Sequence, residues 1–297
     1  GIRFVTRTSQ TFEQMVFPTL TSSSSVSVPQ NTVQASINIA WDLSANDFGL
    51  KVYDASNTLL GESNYLNLPG LTGRREKVVF RNPLAGNFRA AVRHSSYVGT
   101  SQTVFGAVEV TQVEYPTMTD LDSLSPELAA EAEKSLLMNV MMPEGRKFRP
   151  ASSVTRAEFA DALVRGGFVP QYIASAAMFS DVRDIYSRGV VESIQANPTG
   201  ALVIDAASGG RYYPNNSATK LIAAIAYVRA TQLDSLASST PLPTGMTDAA
   251  SIPAQWRGYV AVALQHGFIR LDGSAFNASR SITRIELAQA VNAMIGQ

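Results

Sequence analysis

The sequence predicts a chain of two parts, an antiparallel β-sandwich of jelly-roll type followed by an all-α region built from three repeats. In the first 115 residues, short runs alternate between apolar and polar side chains, as in strands with one face on a core and one in water. In the remainder, Thr155 recurs as Thr219 and Thr283, each time 64 residues later and within a similar segment. Regular self-similarity at such a distance indicates copies of one supersecondary unit.

The composition excludes several classes of protein. The 297 residues include 24 basic and 24 acidic side chains, so net charge gives no reason to expect binding to nucleic acid or to an anionic membrane surface. No run approaches the ~18 apolar residues of a membrane-spanning helix. Cysteine is absent, which excludes disulfides and thiolate metal sites. Because the sequence begins at Gly1 without a signal segment, we expect a mature product or a piece of a longer protein.

The predicted β-sandwich extends over residues 30–115. Strands are expected at 33–39, 49–53, 77–80, 87–92 and 104–110, with turn-forming Asp, Asn, Gly and Pro between them. Several short strands at this spacing favour a small antiparallel sandwich. Residues 1–29 are predicted to be an N-terminal extension and linker, because the serine-rich stretch at 21–28 has low complexity and becomes a strand only towards its end.

Part of this region resembles a known family. The segments WDLSANDFGLKVYD at 41–54, EKV at 76–78 and AGNFRAAV at 85–92 are similar to the pre-peptidase C-terminal domain and to related jelly-roll modules that follow secreted subtilisin-like proteases. The resemblance implies a non-catalytic β-sandwich. It also implies that a protease catalytic domain lies upstream in the same protein.

Four oxygen-bearing side chains in this region form a candidate calcium site. Asp42, Asn46, Asp47 and Asp54 are close together in the sequence, and clustered carboxylate and amide oxygens are the ligands that calcium prefers. The alternative is turn formation, since Asp and Asn close loops by bonding to their own backbone. Apart from calcium, no cofactor is expected.

The three repeats are predicted at 116–170, 171–240 and 241–297. Each consists of a first helix, a turn with an equivalent glycine at position 145, 209 or 273, and a second helix that begins at the recurrent threonine. Glu158 follows Thr155 by three residues, as Glu286 follows Thr283, so both pairs are expected to form capping boxes. In the second repeat Thr219 is kept as a cap, but Ile222 replaces the glutamate.

The repeats resemble the S-layer homology domain. The similar segments are VTRAEF at 154–159, FSDV at 179–182 and ITRIE at 282–286. The resemblance implies that three repeats fold as one pseudo-threefold unit. Grooves between neighbouring repeats would then hold secondary cell-wall polymer, often through its pyruvylated sugars. It also implies a secreted protein located at the bacterial cell surface or cell wall.

A cation follows each recurrent threonine: Arg156, Lys220 and Arg284. The helix dipole disfavours a cation in the first turn by roughly 0.3–1 kcal/mol, so the recurrence needs another reason. One reason is a ligand carboxylate held by the cation and by free N–H groups of the helix start, with Lys220 the weaker because it lacks a planar fork. The alternative is an ion pair with a structural acid such as Asp120 or Asp248.

Aromatic residues offer further candidate contacts with a glycan. Trp256 is predicted to stack on a sugar ring, although a lone Trp on an amphipathic helix is also typical of a core. Tyr212 and Tyr213 follow a glycine-containing turn and are candidates to line the second groove.

The chain has no recognisable catalytic constellation. Its two histidines, His94 and His266, are not near a nucleophile motif, and no phosphate loop, zinc helix or dinucleotide fingerprint is present. We therefore predict a non-catalytic anchoring region that binds secondary cell-wall polymer, in a secreted subtilisin-like serine protease. The alternatives are a structural surface or adhesion protein, or a sandwich module that assists maturation or regulation of a protease.

Overall fold

The computed structural model describes residues 4–43, 45–66, 74–96, 99–206 and 210–295. The chain divides into two compact units, one that ends at Tyr115 and one that begins at Pro116. The first unit contains strands and the second contains helices. This agrees with the predicted order of a β part followed by an α part.

The first unit consists of two four-stranded antiparallel sheets. The strands are β1 (Phe4–Val16), β2 (Thr21–Val28), β3 (Thr32–Ala40), β4 (Phe48–Tyr53), β5 (Leu59–Ser63), β6 (Arg75–Arg81), β7 (Gly86–His94) and β8 (Gln102–Glu114). The strand order is β1-β8-β3-β6 in one sheet and β2-β7-β4-β5 in the other. Alternate side chains of both sheets form one buried core, in which Ile37 and Ile39 of β3 and Leu50 and Val52 of β4 are fully buried. All five predicted strands are present, whereas β5 was not predicted.

The prediction that residues 1–29 are an extension and linker is wrong for residues 4–28. β1 pairs with β8 over its whole length, from Phe4 opposite Glu114 to Val16 opposite Gln102, and β2 pairs with β7. Both lie at sheet edges and are rich in polar residues, so backbone hydrogen bonds hold them more than an apolar face does. An edge strand of this composition gives little periodic signal in a sequence.

Within its described residues, the second unit has six α-helices, two in each predicted repeat. They are α1 (Pro126–Leu137), α2 (Arg156–Arg165), α3 (Ile185–Gln195), α4 (Lys220–Ala230), α5 (Arg257–Gln265) and α6 (Arg284–Ile295), with short 3₁₀ turns at Asp234–Ser238, Ala249–Ser251 and Ala254–Trp256. The first helix of each repeat packs on the second helix of the preceding one: α3 on α2, α5 on α4, and α1 on α6. The packing therefore closes on itself. None of the helices in the described ranges has the length and apolar character that crossing a bilayer requires.

Three backbone hydrogen bonds form a closed ring at the centre of this unit. The amide of Val154 donates to the carbonyl of Ile282 at 2.9 Å, that of Ile282 donates to Ala218 at 3.0 Å, and that of Ala218 donates to Val154 at 2.9 Å. All three side chains are buried. Each member directly precedes the recurrent threonine, so the starts of α2, α4 and α6 lie next to one another.

Candidate functional site

The predicted helix caps are present. The Glu158 amide donates to Thr155 Oγ1 at 3.1 Å, and the Thr155 amide donates to the Glu158 carboxylate at 2.9 Å, which completes a capping box. Thr283 and Glu286 form the same pair of bonds, at 3.4 and 2.7 Å. Thr219 accepts a bond from the amide of Ile222 at 3.3 Å, so α4 is capped by the threonine hydroxyl.

The first N–H group of each of these helices is already used inside the protein. The bonds run from Arg156 to the carbonyl of Asn216 at 2.8 Å, from Lys220 to Arg280 at 2.8 Å, and from Arg284 to Ser152 at 2.9 Å. In each case the acceptor belongs to another repeat. The expectation that free N–H groups at the helix starts assist a ligand is wrong for these three donors, because the neighbouring repeat occupies them.

Arg156 is buried and its charged group is occupied by the second repeat. Its side chain is 8% exposed, Nη1 donates to the carbonyl of Tyr212 at 2.9 Å, and Nη2 pairs with the carboxylate of Asp205. The guanidinium group therefore fastens the start of α2 to the neighbouring repeat.

Arg284 makes the equivalent connection from the third repeat to the first. It is 5% exposed, and its guanidinium donates to the carbonyls of Phe148 at 2.6 Å and Met142 at 2.7 Å. The third contact is an ion pair with Glu158 at 2.9 Å, so the glutamate that caps α2 also holds the cation of α6.

Lys220 connects the second repeat to the third and is fully buried. Its Nζ donates to the carbonyl of Arg270 at 2.7 Å and lies 3.2 Å from Asp272, which also accepts a bond from Arg280 at 2.8 Å. Burial lowers the pKa of Lys220, and the bond to Asp272 opposes that shift. Burial acts to raise the pKa of Asp272, but the bonds from Arg280, Asn277 and Lys220 outweigh it and lower that pKa to about 2.

The acids that pair with the cations are not the ones that the sequence suggested. Asp120 and Asp248 each accept two backbone N–H bonds in the turn before the second helix, from Phe148 and Arg149 and from Phe276 and Asn277. Asp181 accepts the corresponding bonds from Tyr212 and Tyr213. Arg149, Tyr213 and Asn277 all have left-handed backbone angles, with φ of 58°, 57° and 56°. These aspartates therefore stabilise one strained turn in each repeat.

A cavity of about 160 Å³ lies between the second and third repeats. Its walls include Tyr227 of α4, the loop from Gly267 to Asp272, and Glu286 and Gln289 of α6. Tyr227 is 1% exposed, and its ring packs against those of Phe159 and Phe268, with centroids 5.6 and 6.4 Å away. Burial raises the pKa of Tyr227, so this hydroxyl stays protonated at neutral pH.

Arg270 lies at this cavity and was not identified from the sequence. Its backbone carbonyl holds Lys220, whereas its side chain is exposed and makes no ion pair with another described residue. The loop that contains it follows α5 and carries no recognisable motif, since the equivalent residue in the first repeat is Met142. The cavity therefore combines an exposed guanidinium group with a buried hydroxyl and the Gln289 amide.

The predicted glycan-stacking residues lie elsewhere. Tyr212 is fully buried, with its hydroxyl donating to the carbonyl of Arg156 at 3.2 Å, so the expectation that it lines an open groove is wrong. Tyr213 is half-exposed beneath the guanidinium group of Arg211. Trp256 is half-buried against Tyr259, with ring centroids 5.4 Å apart, and does not line the cavity.

The four predicted calcium ligands do not form one site. Six residues of β4 separate Asp47 from Asp54, which places them about 20 Å apart. Asp54 accepts bonds from the amides of Ser56 at 2.9 Å and Thr58 at 2.8 Å, the turn chemistry that was the alternative. Asn46 is buried and bonds to the backbone of Thr100. Among the residues that the structure describes, no group of three or more His, Asp or Glu could hold a metal ion.

The family of the third repeat follows from its sequence. The family model for the S-layer homology domain matches residues 245–288, which include α5, the cavity loop and the beginning of α6. Residues 245–288 are therefore similar in sequence to an S-layer homology domain. S-layer homology domains are non-catalytic, bind cell-wall polymers and indicate association with the bacterial cell surface or cell wall.

Several solved structures are similar to about a third of the chain. The pre-peptidase C-terminal domain of collagenase from Bacillus anthracis is 12% identical over 33% of this chain and 87% of that chain, with a TM-score of 0.26. The lysozyme inhibitor PliG from Aeromonas hydrophila is 11% identical over 34% and 85%, with a TM-score of 0.25. The prophage protein YomS is 17% identical over 36% and 95%, with a TM-score of 0.24. No curated protein has a matching sequence.

Proposed function

We propose that residues 116–297 are three S-layer homology repeats that fold as one pseudo-threefold unit and anchor the protein to the bacterial cell wall. One of the three repeats matches the family model, and the other two share its 64-residue spacing. The closed ring of backbone bonds and the cyclic packing of α1 on α6, α3 on α2 and α5 on α4 support a threefold arrangement. In each repeat an aspartate bonds to the same turn, which also supports the equivalence.

The proposed polymer site is the cavity between the second and third repeats. The observation that carries this proposal is the cavity itself, because its lining brings Tyr227, Gln289 and the exposed Arg270 together. The Tyr227 hydroxyl keeps its proton because burial raises its pKa, so it can donate a hydrogen bond to a ligand oxygen. Arg270 supplies the charge for an acidic sugar, such as one that carries a pyruvate ketal, because a guanidinium binds a carboxylate through two parallel hydrogen bonds. Gln289 would orient the neighbouring hydroxyls.

Arg156, Lys220 and Arg284 have an indirect role in this proposal. Their donors bind carbonyls and acids of the next repeat, so they hold the walls of the clefts in place. A positioning role also explains why a cation recurs at a position that the helix dipole disfavours. The neighbouring repeat supplies the compensating negative groups.

The test is sedimentation of the full chain with purified cell walls, with and without their attached secondary polymer. We expect the protein to bind intact walls, and Arg270→Gln to weaken binding about tenfold or more, as for the loss of one charged hydrogen bond. Lys134→Gln is the matched control, because Lys134 is an exposed cation on α1 outside the cavity. Equal binding to stripped walls, or equal binding by wild type and Arg270→Gln, would contradict the proposal.

We also propose that the anchored protein is a secreted subtilisin-like protease, with the catalytic domain upstream of the β-sandwich. The support is the resemblance of residues 41–54 and 85–92 to modules that follow such proteases. The test is to detect the native protein on a gel with antibodies against residues 116–297. The band that these antibodies label should also react with a serine-directed covalent probe. A native protein that lacks serine-hydrolase reactivity would contradict the protease assignment and leave the anchoring proposal intact.

A further inference from the structure

The outer face of the β2-β7-β4-β5 sheet contains a groove of about 540 Å³. Its floor is made of small residues, Gly49 on β4 and Ala91 on β7, and longer side chains flank this floor on both sides. Those longer side chains are Lys51, Arg89 and Arg93. The groove is thus a trough in the sheet surface with basic walls.

Strand register brings the three cations together. Lys51 lies opposite Ala91 on β7, so Arg89 and Arg93 are its two diagonal neighbours. Diagonal neighbours on one face of an antiparallel sheet are about 7–8 Å apart. Arg89 stacks on the ring of Tyr53 at 4.0 Å and bonds to Asn57 at 2.7 Å, which holds its guanidinium group at the groove.

The positive charge of this groove is only partly balanced. Glu62 pairs with Lys51 at 3.0 Å, whereas neither Arg89 nor Arg93 makes an ion pair with any residue in the described ranges. The outer face of the other sheet is different, because its groove, of about 430 Å³, contains one arginine and Glu109, and Glu109 also pairs with Lys77 at 3.6 Å. The formal net charge of the chain is +0, so the excess of positive charge in this groove is local.

We propose that this groove binds an anionic polysaccharide, through the carboxylates of its sugars. The three cations supply charge complementarity, and like charges held together on a folded surface are relieved by an anionic ligand. The groove runs over the face of the sheet, where backbone groups are already paired, so a peptide could not add a strand there. Asn64, an exposed residue at its edge, offers the neutral hydrogen-bonding group that a sugar hydroxyl needs.

The proposal is tested with the full chain by calorimetry, using oligogalacturonate as the probe and neutral dextran oligomers as the uncharged comparison. Wild type should bind oligogalacturonate and not dextran, with an affinity that falls as salt is raised. The Arg89→Gln, Arg93→Gln double variant should bind at least tenfold more weakly. Lys77→Gln, which removes an exposed cation from the other sheet, should leave the affinity unchanged.

A gain-of-function variant separates loss of binding from loss of folding. Glu62→Gln removes the one acid of the groove and should tighten binding about threefold or more, which a misfolded protein could not do. Arg270→Gln should leave this binding unchanged, because Arg270 belongs to the other unit. Unaltered affinity in the double variant, weaker binding by Glu62→Gln, or equally tight binding of poly-glutamate would each overturn the proposal.

Discussion

Arg284 and Glu158 lie 126 residues apart in the chain and form an ion pair of 2.9 Å between the last repeat and the first. Glu158 also completes the capping box of α2 through Thr155. One carboxylate therefore stabilises a helix start and joins the two ends of the repeat array. The Arg284 guanidinium also donates to the backbone carbonyls of Phe148 and Met142 in the first repeat and lies over the Phe148 ring.

Removing the Arg284 side chain should destabilise the helical unit strongly. Arg284→Ala leaves a capping carboxylate without its cation, and it leaves the buried Phe148 carbonyl and the part-buried Met142 carbonyl without this donor. Breaking a buried pair typically costs about 3–5 kcal/mol. Because the Glu158 side chain is 36% exposed, we expect the lower end, about 3 kcal/mol, in urea unfolding followed by helical circular dichroism. Arg211→Ala, at an exposed pair with Asp181, should cost no more than about 1 kcal/mol. Equal costs for the two variants would contradict this reading.

The stability of the helical unit should depend on pH below 4 through Asp272. Its folded pKa of about 2 is below the ordinary value of 3.8, so its contribution is present above pH 3.8 and is lost as the pH falls towards 2. Solvent screens this side chain, which is 36% exposed. We therefore expect it to contribute only roughly 1 kcal/mol to the free energy of unfolding.

The measurement is the free energy of unfolding of wild type and Asp272→Asn between pH 5 and pH 2. The difference between the two proteins should shrink by that amount as the pH falls. A constant difference over this range would show that the carboxylate titrates alike in the folded and unfolded chains.

Two helical glycines should respond oppositely to the same substitution. A Cβ at Gly258 in α5 would lie 1.7 Å from the carbonyl oxygen of Ala237, so Gly258→Ala should displace the Asp234–Ser238 turn and cost about 1–3 kcal/mol. A Cβ at Gly189 in α3 would meet nothing within 4 Å, so Gly189→Ala should stabilise by up to about 1 kcal/mol through helix propensity. Thermal unfolding of both variants tests this, and a shift of the same sign in both would be inconsistent with close packing at Gly258.

The local parts of this structure could be predicted from the sequence. Thr155 with Glu158 and Thr283 with Glu286 are capping boxes because a capping box depends on residues three positions apart. The same holds for the central strands, in which apolar residues alternate. The equivalent glycine 209 lies outside the described residues, whereas Gly145 and Gly273 have positive φ angles of 60° and 63°.

The acidic partners of the buried cations could not be predicted, because these acids do not recur at equivalent positions in the three repeats. Asp205, Asp272 and Glu158 occupy three different positions within the 64-residue period, so no comparison between repeats reveals them. Arg270 was missed for the same reason. Edge strands β1 and β2 escaped detection because hydrogen bonds to β8 and β7, and not a buried apolar stripe, define them.

The circle of amide-to-carbonyl bonds through Val154, Ile282 and Ala218 has a consequence for how the helical unit can vary. An open solenoid tolerates loss of a terminal copy, because each copy touches only its immediate neighbours in sequence. Here the last copy touches the first, so deleting either one strips a partner from both survivors and uncovers the inner side of α1 or α6. We therefore expect the three copies to unfold together, and closure of the packing to limit changes in their number.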